Sequence, residues 1–418
     1  MAENRKRTIA VIDLKAFYAY VECLDRGLDP WTAPLIVADK ERGSNTIILS
    51  VSPFLKAHGV PSRLRVKELP SGFNYIYATP RMERYIQRSC EVVNVFLSFI
   101  AEEDLHVYSI DESFLDLTTY LSYYKMDGIT LVRKIIETVK ERTGLQATGG
   151  IGNNFFQAKV ALDVYAKKSP EWIGTLYDED VKTKLWPITP LRNVWGIGAQ
   201  TEKKLNNMGI FKVEQLATCN KDYLIKKFGI MGEQLYNHAN GIDEADIREE
   251  YTPKETSITF GQTLMRDYKM EEVPLLIREL NDDLAAKLRS RNEMTPVVHL
   301  SIIYSSNQGG FSHQMSLIRP SDDTEVLLDS LLKIYYKYVQ DLPIRGVHIA
   351  YGKLQPRSKN EQLDLFISPE EMENKRNLQL MIDTIHNKYG KDILLRASAL
   401  TDGSTAKERH SFIGGHKK

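Results

Sequence analysis

The sequence predicts a multidomain α/β protein, and three observations support that prediction. The chain has 418 residues, more than one ordinary hydrophobic core supports. Strand-like apolar runs alternate with amphipathic helices at first, and a wholly helical, Gly-punctuated stretch follows at 171–245. Residues 256–352 then show a βαββαβ order, which is typical of a compact domain with helices on one face of a sheet.

The composition favours a folded enzyme without a strong overall charge. Lys plus Arg equal Asp plus Glu at 55 each, so any DNA-binding surface must be local. The three cysteines, Cys23, Cys90 and Cys219, lack metal-ligand spacing and suit a reducing cytoplasm. Asp13 and Lys15 interrupt the first apolar run, so we expect neither a signal peptide nor a membrane span.

The first module begins with a short strand that ends in an acid. Residues 8–12 form a β-branched apolar run typical of a buried strand, and Asp13 follows directly. We expect a helix at about 15–26, then a small inserted module at 27–80 without a long helix, and a helix at 82–100 whose aromatic positions fit core packing.

A second acidic pair lies at a bend between two short strands. Residues 105–117, LHVYSIDESFLDL, alternate around Asp111 and Glu112, which indicates a strand on either side of the pair. We expect a third strand at 146–151 and an amphipathic helix at 154–167.

The carboxylates of Asp13, Asp111 and Glu112 converge if these strands are neighbours. Clustered carboxylates repel one another unless cations neutralise them, so a divalent-metal site explains the pattern economically. Two Mg²⁺ ions about 4 Å apart would suit phosphoryl transfer. Taken singly, each acid could instead be a solvated turn residue, and Asp13 could cap the following helix.

The sequence around these acids resembles that of Y-family, lesion-bypassing DNA polymerases. TIAVIDLKAFYAYVE is similar to the family's first metal motif, and VYSIDESFLDL, preceded by MERYIQRSCEVVNVFLSF, is similar to the second. The resemblance implies a right-hand polymerase with a palm at 1–26 and 81–168, fingers at 27–80, a helical thumb with a helix-hairpin-helix at 169–245, and a βαββαβ little finger at 254–352. For the polar remainder, 353–418, we expect a largely flexible tail with one helix at 370–388.

The resemblance also implies roles for residues of the two motifs. Asp13, Asp111 and Glu112 become ligands of two Mg²⁺ ions, with Mn²⁺ as an alternative, and the backbone carbonyl of Leu14 completes the site. Asp116 is expected to be a structural acid.

Two aromatic residues follow the first motif. Tyr18 matches the family's steric gate, whose ring collides with a ribose 2′-hydroxyl. Phe17 matches the adjacent aromatic position and is a further candidate for the nucleotide pocket, but we favour core packing for it.

The predicted fingers depart from the family pattern. In ILSVSPFLKAHGVPSRLRVKELP the usual Tyr-x-x-Arg positions fall on Pro53 and Lys56, so an Arg fork becomes a single ammonium charge. Lys167 matches a family lysine that contacts phosphates, with a helix-terminal lysine as the alternative. Further candidates for triphosphate contacts are Ser50, Ser52, Arg63 and Arg65.

The thumb segment VWGIGAQTEKKLNNMGI has the form of a helix-hairpin-helix. Gly196 and Gly198 would form the turn, the following helix would present backbone N–H groups to a DNA phosphate, and Lys203 and Lys204 would add charge. The little finger is not basic overall, so we expect weak, salt-sensitive DNA binding.

QLDLF at 362–366 resembles the peptide with which bacterial proteins bind the sliding clamp. Gln362 would bond at a pocket rim, while Leu363, Leu365 and Phe366 would fill apolar pockets. A segment packed on the little finger is the alternative.

These predictions describe a monomeric, cytoplasmic, nucleoid-associated polymerase that uses primer-template DNA and dNTPs, binds the sliding clamp and bypasses lesions in DNA repair or the SOS response. One rival is another palm-type transferase such as a nucleotide cyclase. The other is a catalytically weak DNA- and clamp-binding accessory protein, which the altered Pro53 and Lys56 positions leave open.

Overall fold

The computed structural model describes residues 6–249, 256–357 and 368–418. The chain divides into two compact units, Met1–Glu250 and Tyr251–Lys418. Over the described ranges, none of the helices is long and apolar enough to cross a membrane.

The first unit contains two sheets. Its strands are β1 (Ile9–Leu14), β2 (Leu35–Val37), β3 (Ser50–Val51), β4 (Ile76–Ala78), β5 (Leu105–Val107), β6 (Glu112–Asp116), β7 (Ala147–Gly152) and β8 (Ile173–Leu176). Its helices are α1 (Phe17–Asp25), α2 (Pro53–Ala57), α3 (Met82–Leu97), α4 (Tyr120–Tyr124), α5 (Gly128–Thr143), α6 (Phe155–Val160), α7 (Ala199–Asn207), α8 (Val213–Thr218), α9 (Lys221–Phe228) and α10 (Ile230–Ala239).

The larger sheet has the order β5-β6-β1-β7-β8. β1 lies in the middle because Ile9 to Ile12 are apolar and buried, as a strand covered on both faces requires. β6 and β7 flank it in antiparallel register, so the end of β1 lies beside the start of β6.

The prediction that residues 171–245 are wholly helical is wrong at the start of this range. β8 pairs in parallel with β7, Gly149 opposite Ile173 and Gly152 opposite Leu176, and so joins the larger sheet. Helices predominate only after it. The sheet therefore extends past the expected palm boundary at residue 168.

The segment after β7 packs unusually close to the sheet. A Cβ on Gly150 would meet the carbonyl oxygen of Ala158 at 2.2 Å, and one on Gly152 would meet the Gln157 Cβ at 2.5 Å. α6 continues as a π-helical turn, Ala161–Tyr165, and a 3₁₀ turn, Ala166–Lys168, where we expected one regular helix. The glycines therefore bring this segment against β1 and β7.

The inserted module at 27–80 forms its own small sheet of order β3-β2-β4 with α2 beside it. Ile36, Ile48, Val51 and Leu55 are fully buried in its core. Helices α7 to α10 share a separate core with α6, which includes Leu205, Leu216, Leu224 and Leu235.

The second unit has the expected βαββαβ order. Its strands are β9 (Ser257–Tyr268), β10 (Glu293–Tyr304), β11 (Gly310–Ser321), β12 (Ile344–Gly352), β13 (Gln355–Pro356), β14 (Phe412–Ile413) and β15 (His416–Lys417). Its helices are α11 (Val273–Ser290), α12 (Thr324–Tyr338), α13 (Pro369–Tyr389) and α14 (Ala406–His410). The main sheet is antiparallel with the order β11-β10-β12-β9, and α11 and α12 share its core.

The expected flexible tail is wrong for residues 368–418. The predicted helix is present as α13, and Arg289 of α11 donates to Asp383 of α13 at 2.6 and 2.9 Å. Further on, Arg409 lies buried against Glu279 and Asp283 of α11. Ion pairs between distant parts of the chain order this segment, and hydrophobic periodicity does not reveal such pairs.

Candidate active site

Neighbouring strands bring the three predicted acids together. Asp13 on β1 lies opposite Glu112 on β6 in the strand register. The backbone N–H of Leu14 donates to the carbonyl oxygen of Asp111 at 2.8 Å. Asp116, at the far end of β6, accepts the Thr118 N–H at 2.9 Å, which fits the structural role expected for it.

Two lysines pair with two of the three acids. The ammonium group of Lys167 lies 2.9 Å from Asp13 Oδ2. The ammonium group of Lys159 lies 2.7 Å from Glu112 Oε1 and donates to Oε2 at 2.9 Å. Asp111 instead accepts a hydrogen bond from the Ser109 hydroxyl at 2.8 Å.

Burial shifts the pKa values of Asp13, Glu112 and Lys167. It raises the pKa of Asp13 and of Glu112, and in each case the paired lysine acts in the opposite direction. Burial lowers the pKa of Lys167, but the carboxylates of Asp13 and Asp163 together act more strongly, so the pKa of Lys167 is raised. The site thus holds partly desolvated carboxylates next to two ammonium groups, and the pKa of Lys167 is raised by its carboxylate partners.

The donor set suits a hard divalent cation. All three side chains are carboxylates, the oxygen ligands that Mg²⁺ prefers. Within the described parts of the chain, Glu112 Oε1 is a buried oxygen without a hydrogen-bond partner, although the Lys159 ammonium is near. The same parts contain no group of three or more His, Cys, Asp or Glu side chains already arranged around a metal position. The acids fit a cation by chemistry and strand position, while two of the side chains face lysines.

Tyr18 is held by aromatic stacking. Its ring stacks on Tyr85, with 4.6 Å between the ring centroids, and the Tyr85 hydroxyl donates to Glu22 at 2.7 Å. Glu22 is fully buried and accepts from Arg81 at 2.9 Å. Phe17 is only 2% exposed, which agrees with core packing and not with a place in a nucleotide pocket.

Two predicted triphosphate contacts, both in the inserted module at 27–80, have structural roles. Ser52 is fully buried, caps α2 by accepting from the Leu55 N–H, and donates to the carbonyl oxygen of Ala33 at 2.7 Å. Ser50 is buried and donates to the carbonyl oxygen of Ala16 at 3.3 Å. Each hydroxyl proton is therefore already donated to a backbone carbonyl and is not available to a phosphate, which corrects the expected contacts.

Lys56 lies within electrostatic reach of the acids. Partial desolvation lowers its pKa, the carboxylates of Asp13 and Asp111 oppose that shift, and Lys167 adds to it. Lys15 lies nearby over the Trp172 ring at 3.7 Å, and burial lowers its pKa to about 8, with Lys56 as the next cause.

The two fingers arginines are exposed. Arg63 has a left-handed backbone, with φ of 68°, and the backbone N–H of Arg65 donates to Glu68 at 2.8 Å. Among the contacts of the described residues, neither side chain reaches the three acids.

The predicted helix-hairpin-helix turn has the expected local form. Gly196 adopts φ of 88°, and Gly198 is the N-cap of α7. Lys203 and Lys204 are exposed on that helix. The predicted clamp peptide, 362–366, lies outside the described residues.

Sequence reasoning missed Lys159 and Asp163. Asp163 contacts both Lys159, at 3.2 Å, and Lys167, at 2.7 Å. The signal was available, because these three residues follow one another at intervals of four, the spacing of ion pairs on a helix.

Comparisons with known proteins match nearly the whole chain. The impB/mucB/samB family model matches residues 12–163, the model of that family's C-terminal domain matches 255–365, and a model of an HHH motif matches 178–210.

Two relatives come from Bacillus subtilis (strain 168). The protein named "Putative UV-damage repair protein UvrX" is 35% identical, over 99% of this chain and 98% of that protein. DNA polymerase IV 2 is 30% identical, over 99% of this chain and 100% of that protein.

A solved Y-family DNA polymerase chimera, Dbh-Dpo4(243-245)-Dbh, shares the fold. Its TM-score is 0.67 at 19% identity, over 84% of this chain and 100% of that chain. With both family domains, the HHH motif and two full-length relatives matched, the chain belongs to the impB/mucB/samB family of Y-family DNA polymerases.

Proposed function

We propose that this chain is a template-directed DNA polymerase that adds deoxynucleotides to a primer 3′-hydroxyl and copies damaged templates. The pairing of β1 with β6 is the main support, because it places Asp13 opposite Glu112 with Asp111 next to them. The names of the two full-length relatives, a DNA polymerase and a UV-damage repair protein, support the choice of reaction and context. We further propose that the protein acts as a monomer at the nucleoid.

The metal site in this proposal consists of Asp13, Asp111, Glu112 and the backbone carbonyl of Leu14. Two Mg²⁺ ions, or Mn²⁺ in their place, would activate the 3′-hydroxyl and stabilise the leaving pyrophosphate. The pairing of β1 with β6 fixes the backbone positions of Asp13 and Glu112, so only side chains would have to adjust when a cation binds.

Tyr18 is proposed as the steric gate that excludes ribonucleotides. Its ring is backed by Tyr85, which Glu22 holds through the hydroxyl, so the gate has a rigid support. Lys56 and Lys167 are the proposed triphosphate contacts, since both lie within electrostatic reach of Asp13.

DNA and the sliding clamp are the proposed macromolecular partners. The turn at Gly196 and Gly198 would contact a DNA phosphate through backbone N–H groups, with Lys203 and Lys204 adding charge. The peptide at 362–366, through Gln362, Leu363, Leu365 and Phe366, would bind the clamp.

Primer extension with Mg²⁺ on a templated primer tests the reaction. Wild type should extend the primer, and Asp111→Ala should abolish extension. Asp116→Asn is the matched control on the same strand, and it should retain extension because an amide oxygen still accepts the Thr118 N–H. A wild-type protein that binds DNA and clamp without extending primers would support the accessory-protein alternative, and cyclisation of nucleoside triphosphates would support the cyclase alternative.

Ribonucleotide selection tests Tyr18. Tyr18→Ala should raise the efficiency of rNTP incorporation relative to dNTP by about tenfold or more, because removing a steric clash changes discrimination by roughly 1–3 kcal/mol. Tyr18→Phe keeps the ring and should keep the selectivity. Unchanged selectivity in Tyr18→Ala would remove the gate assignment.

Deletion of 362–366 tests the clamp peptide. Clamp-stimulated synthesis should be lost while unstimulated synthesis continues. Stimulation that survives the deletion would contradict the proposal.

A further inference from the structure

Two lysines on one segment face the candidate metal site from the same side. Lys159 lies on α6 and Lys167 on the 3₁₀ turn that follows the π-helical turn. Lys159 pairs with Glu112 and Lys167 pairs with Asp13. Asp163, in the π-helical turn between them, contacts both ammonium groups. The segment thus places one lysine against each of two of the three acids, with an aspartate that contacts both lysines.

The two lysines differ in their access to solvent. The Lys159 side chain is 8% exposed, whereas the Lys167 side chain is 42% exposed. A buried lysine held between two carboxylates has little freedom to move, because leaving them would remove its counter-charges in a desolvated setting. A half-exposed lysine can exchange one carboxylate for water or an incoming anion at small cost.

We propose that Lys159 is a positioning residue that holds Glu112 in the orientation needed for a divalent cation, whereas Lys167 is a displaceable counter-ion. When a cation binds Asp13, Lys167 leaves Asp13 and stays tethered to Asp163. This inference rests on the proposed function, because it concerns the metal site of that reaction.

The contacts predict that removal of Lys159 and removal of Lys167 have opposite effects on cation binding. Without Lys159, the buried carboxylate of Glu112 loses the ammonium group that bonds it and its orientation is no longer fixed. Without Lys167, Asp13 loses a cation that competes with the metal for the same oxygens. Lys167 keeps a short contact to Asp163, at 2.7 Å, so it has a place to remain after displacement.

Mn²⁺ binding to the full chain, without DNA or nucleotide, measures this difference. Electron paramagnetic resonance of free Mn²⁺ gives the dissociation constant without any turnover. Lys159→Met should weaken Mn²⁺ binding by about 10- to 100-fold, as loss of a residue that orients a metal ligand does. Lys167→Met should tighten it several-fold. Lys168→Met is the matched control, because the described residues give its exposed side chain no ion-pair partner, and it should leave binding unchanged.

Three outcomes decide the matter. Unchanged or tighter binding in Lys159→Met would overturn the positioning role, and weaker binding in Lys167→Met would overturn the displacement. If Lys159→Met does not fold, Lys159→Arg replaces it, since a guanidinium keeps the charge but not the ammonium position, and a few-fold weakening is expected. Wild type that binds Mn²⁺ no better than Asp111→Ala would instead contradict the metal site itself.

Discussion

Each unit of the molecule contains a cluster where acidic and basic side chains meet, and the two clusters differ in how fully the acids are bonded. In the second unit, Glu279 on α11 accepts from the Ser404 hydroxyl through one oxygen and from the Thr405 N–H and Arg409 through the other. Asp283 is bonded by Arg409 and Lys391. The chain itself satisfies these acids.

The acids of the cluster in the first unit have fewer partners. The described residues give Glu112 one ammonium partner, Lys159, at 2.7 Å, and the partner of Asp13 is a half-exposed lysine. An ion pair with a half-exposed lysine is weak, so an incoming cation can replace Lys167 at Asp13, whereas the buried Arg409 holds Glu279 and Asp283. Both clusters contain carboxylates and basic residues, so the number and the burial of each acid's partners separate a candidate site from a structural ion-pair cluster.

Replacing Glu112 by Gln should have the largest effect. The amide keeps the shape and loses the charge, so we expect primer extension to fall by about 10³-fold, which corresponds to roughly 4 kcal/mol of lost metal and transition-state stabilisation. The protein should also lose some stability, because the buried Lys159 keeps only Asp163 as a counter-charge. Single-turnover extension and a melting curve on the same preparation measure both. Extension per folded molecule that stays near the wild-type level would place Glu112 with the structural acids.

Arg409→Met should lower the stability of the second unit and leave catalysis unchanged. It leaves Glu279 and Asp283 buried with fewer partners, and breaking a buried pair typically costs about 3–5 kcal/mol. We expect faster hydrogen exchange over 391–418 and lower stability of the second unit, with extension per folded molecule unchanged. Lys407→Met, on the same short helix, is the control for the loss of a charge. If exchange in 391–418 stays slow, residue 409 does not hold the segment.

The sequence predicted the elements that depend on local patterns. β1 and β6 followed from apolar runs and alternation, and the βαββαβ unit followed from the order of such runs. Ser52 was misjudged as a phosphate contact, although Ser-Pro before an apolar pair is also a signal for a helix N-cap with proline at the first position.

The errors concern contacts between distant residues. β8 is four residues long and is defined by its pairing with β7 and not by its own pattern. The docked C-terminal segment depends on pairs such as Arg409 with Glu279, 130 positions apart. Periodicity carries no information on such partners, so the polar composition suggested a flexible tail.

The smallest expected effect is the pH dependence of stability at the acid–base cluster of the second unit. The carboxylate of Asp283, 3.8 Å away, raises the pKa of His410 above its ordinary 6.5, and the hydrogen bond with Asp392 adds to this. Burial alone would raise the pKa of Asp283, but His410, Arg409 and Lys391 together lower it below 3.8. The histidine therefore stabilises the folded state fully below about pH 6.5 and loses that contribution as the pH rises through its folded pKa. The aspartate contributes above about pH 4 and loses its part as the pH falls.

Both contributions are present together between about pH 4 and about pH 6.5. His410→Gln should therefore lower the melting temperature relative to wild type near pH 6, and the difference should shrink as the pH rises and wild-type His410 loses its proton. His58→Gln in the first unit is the control, because the contacts described for His58 are with aromatic rings and a backbone carbonyl. A difference that stays constant as the pH rises would mean that His410 acts by packing. A pH-dependent difference would show that even the fully bonded cluster responds to protons.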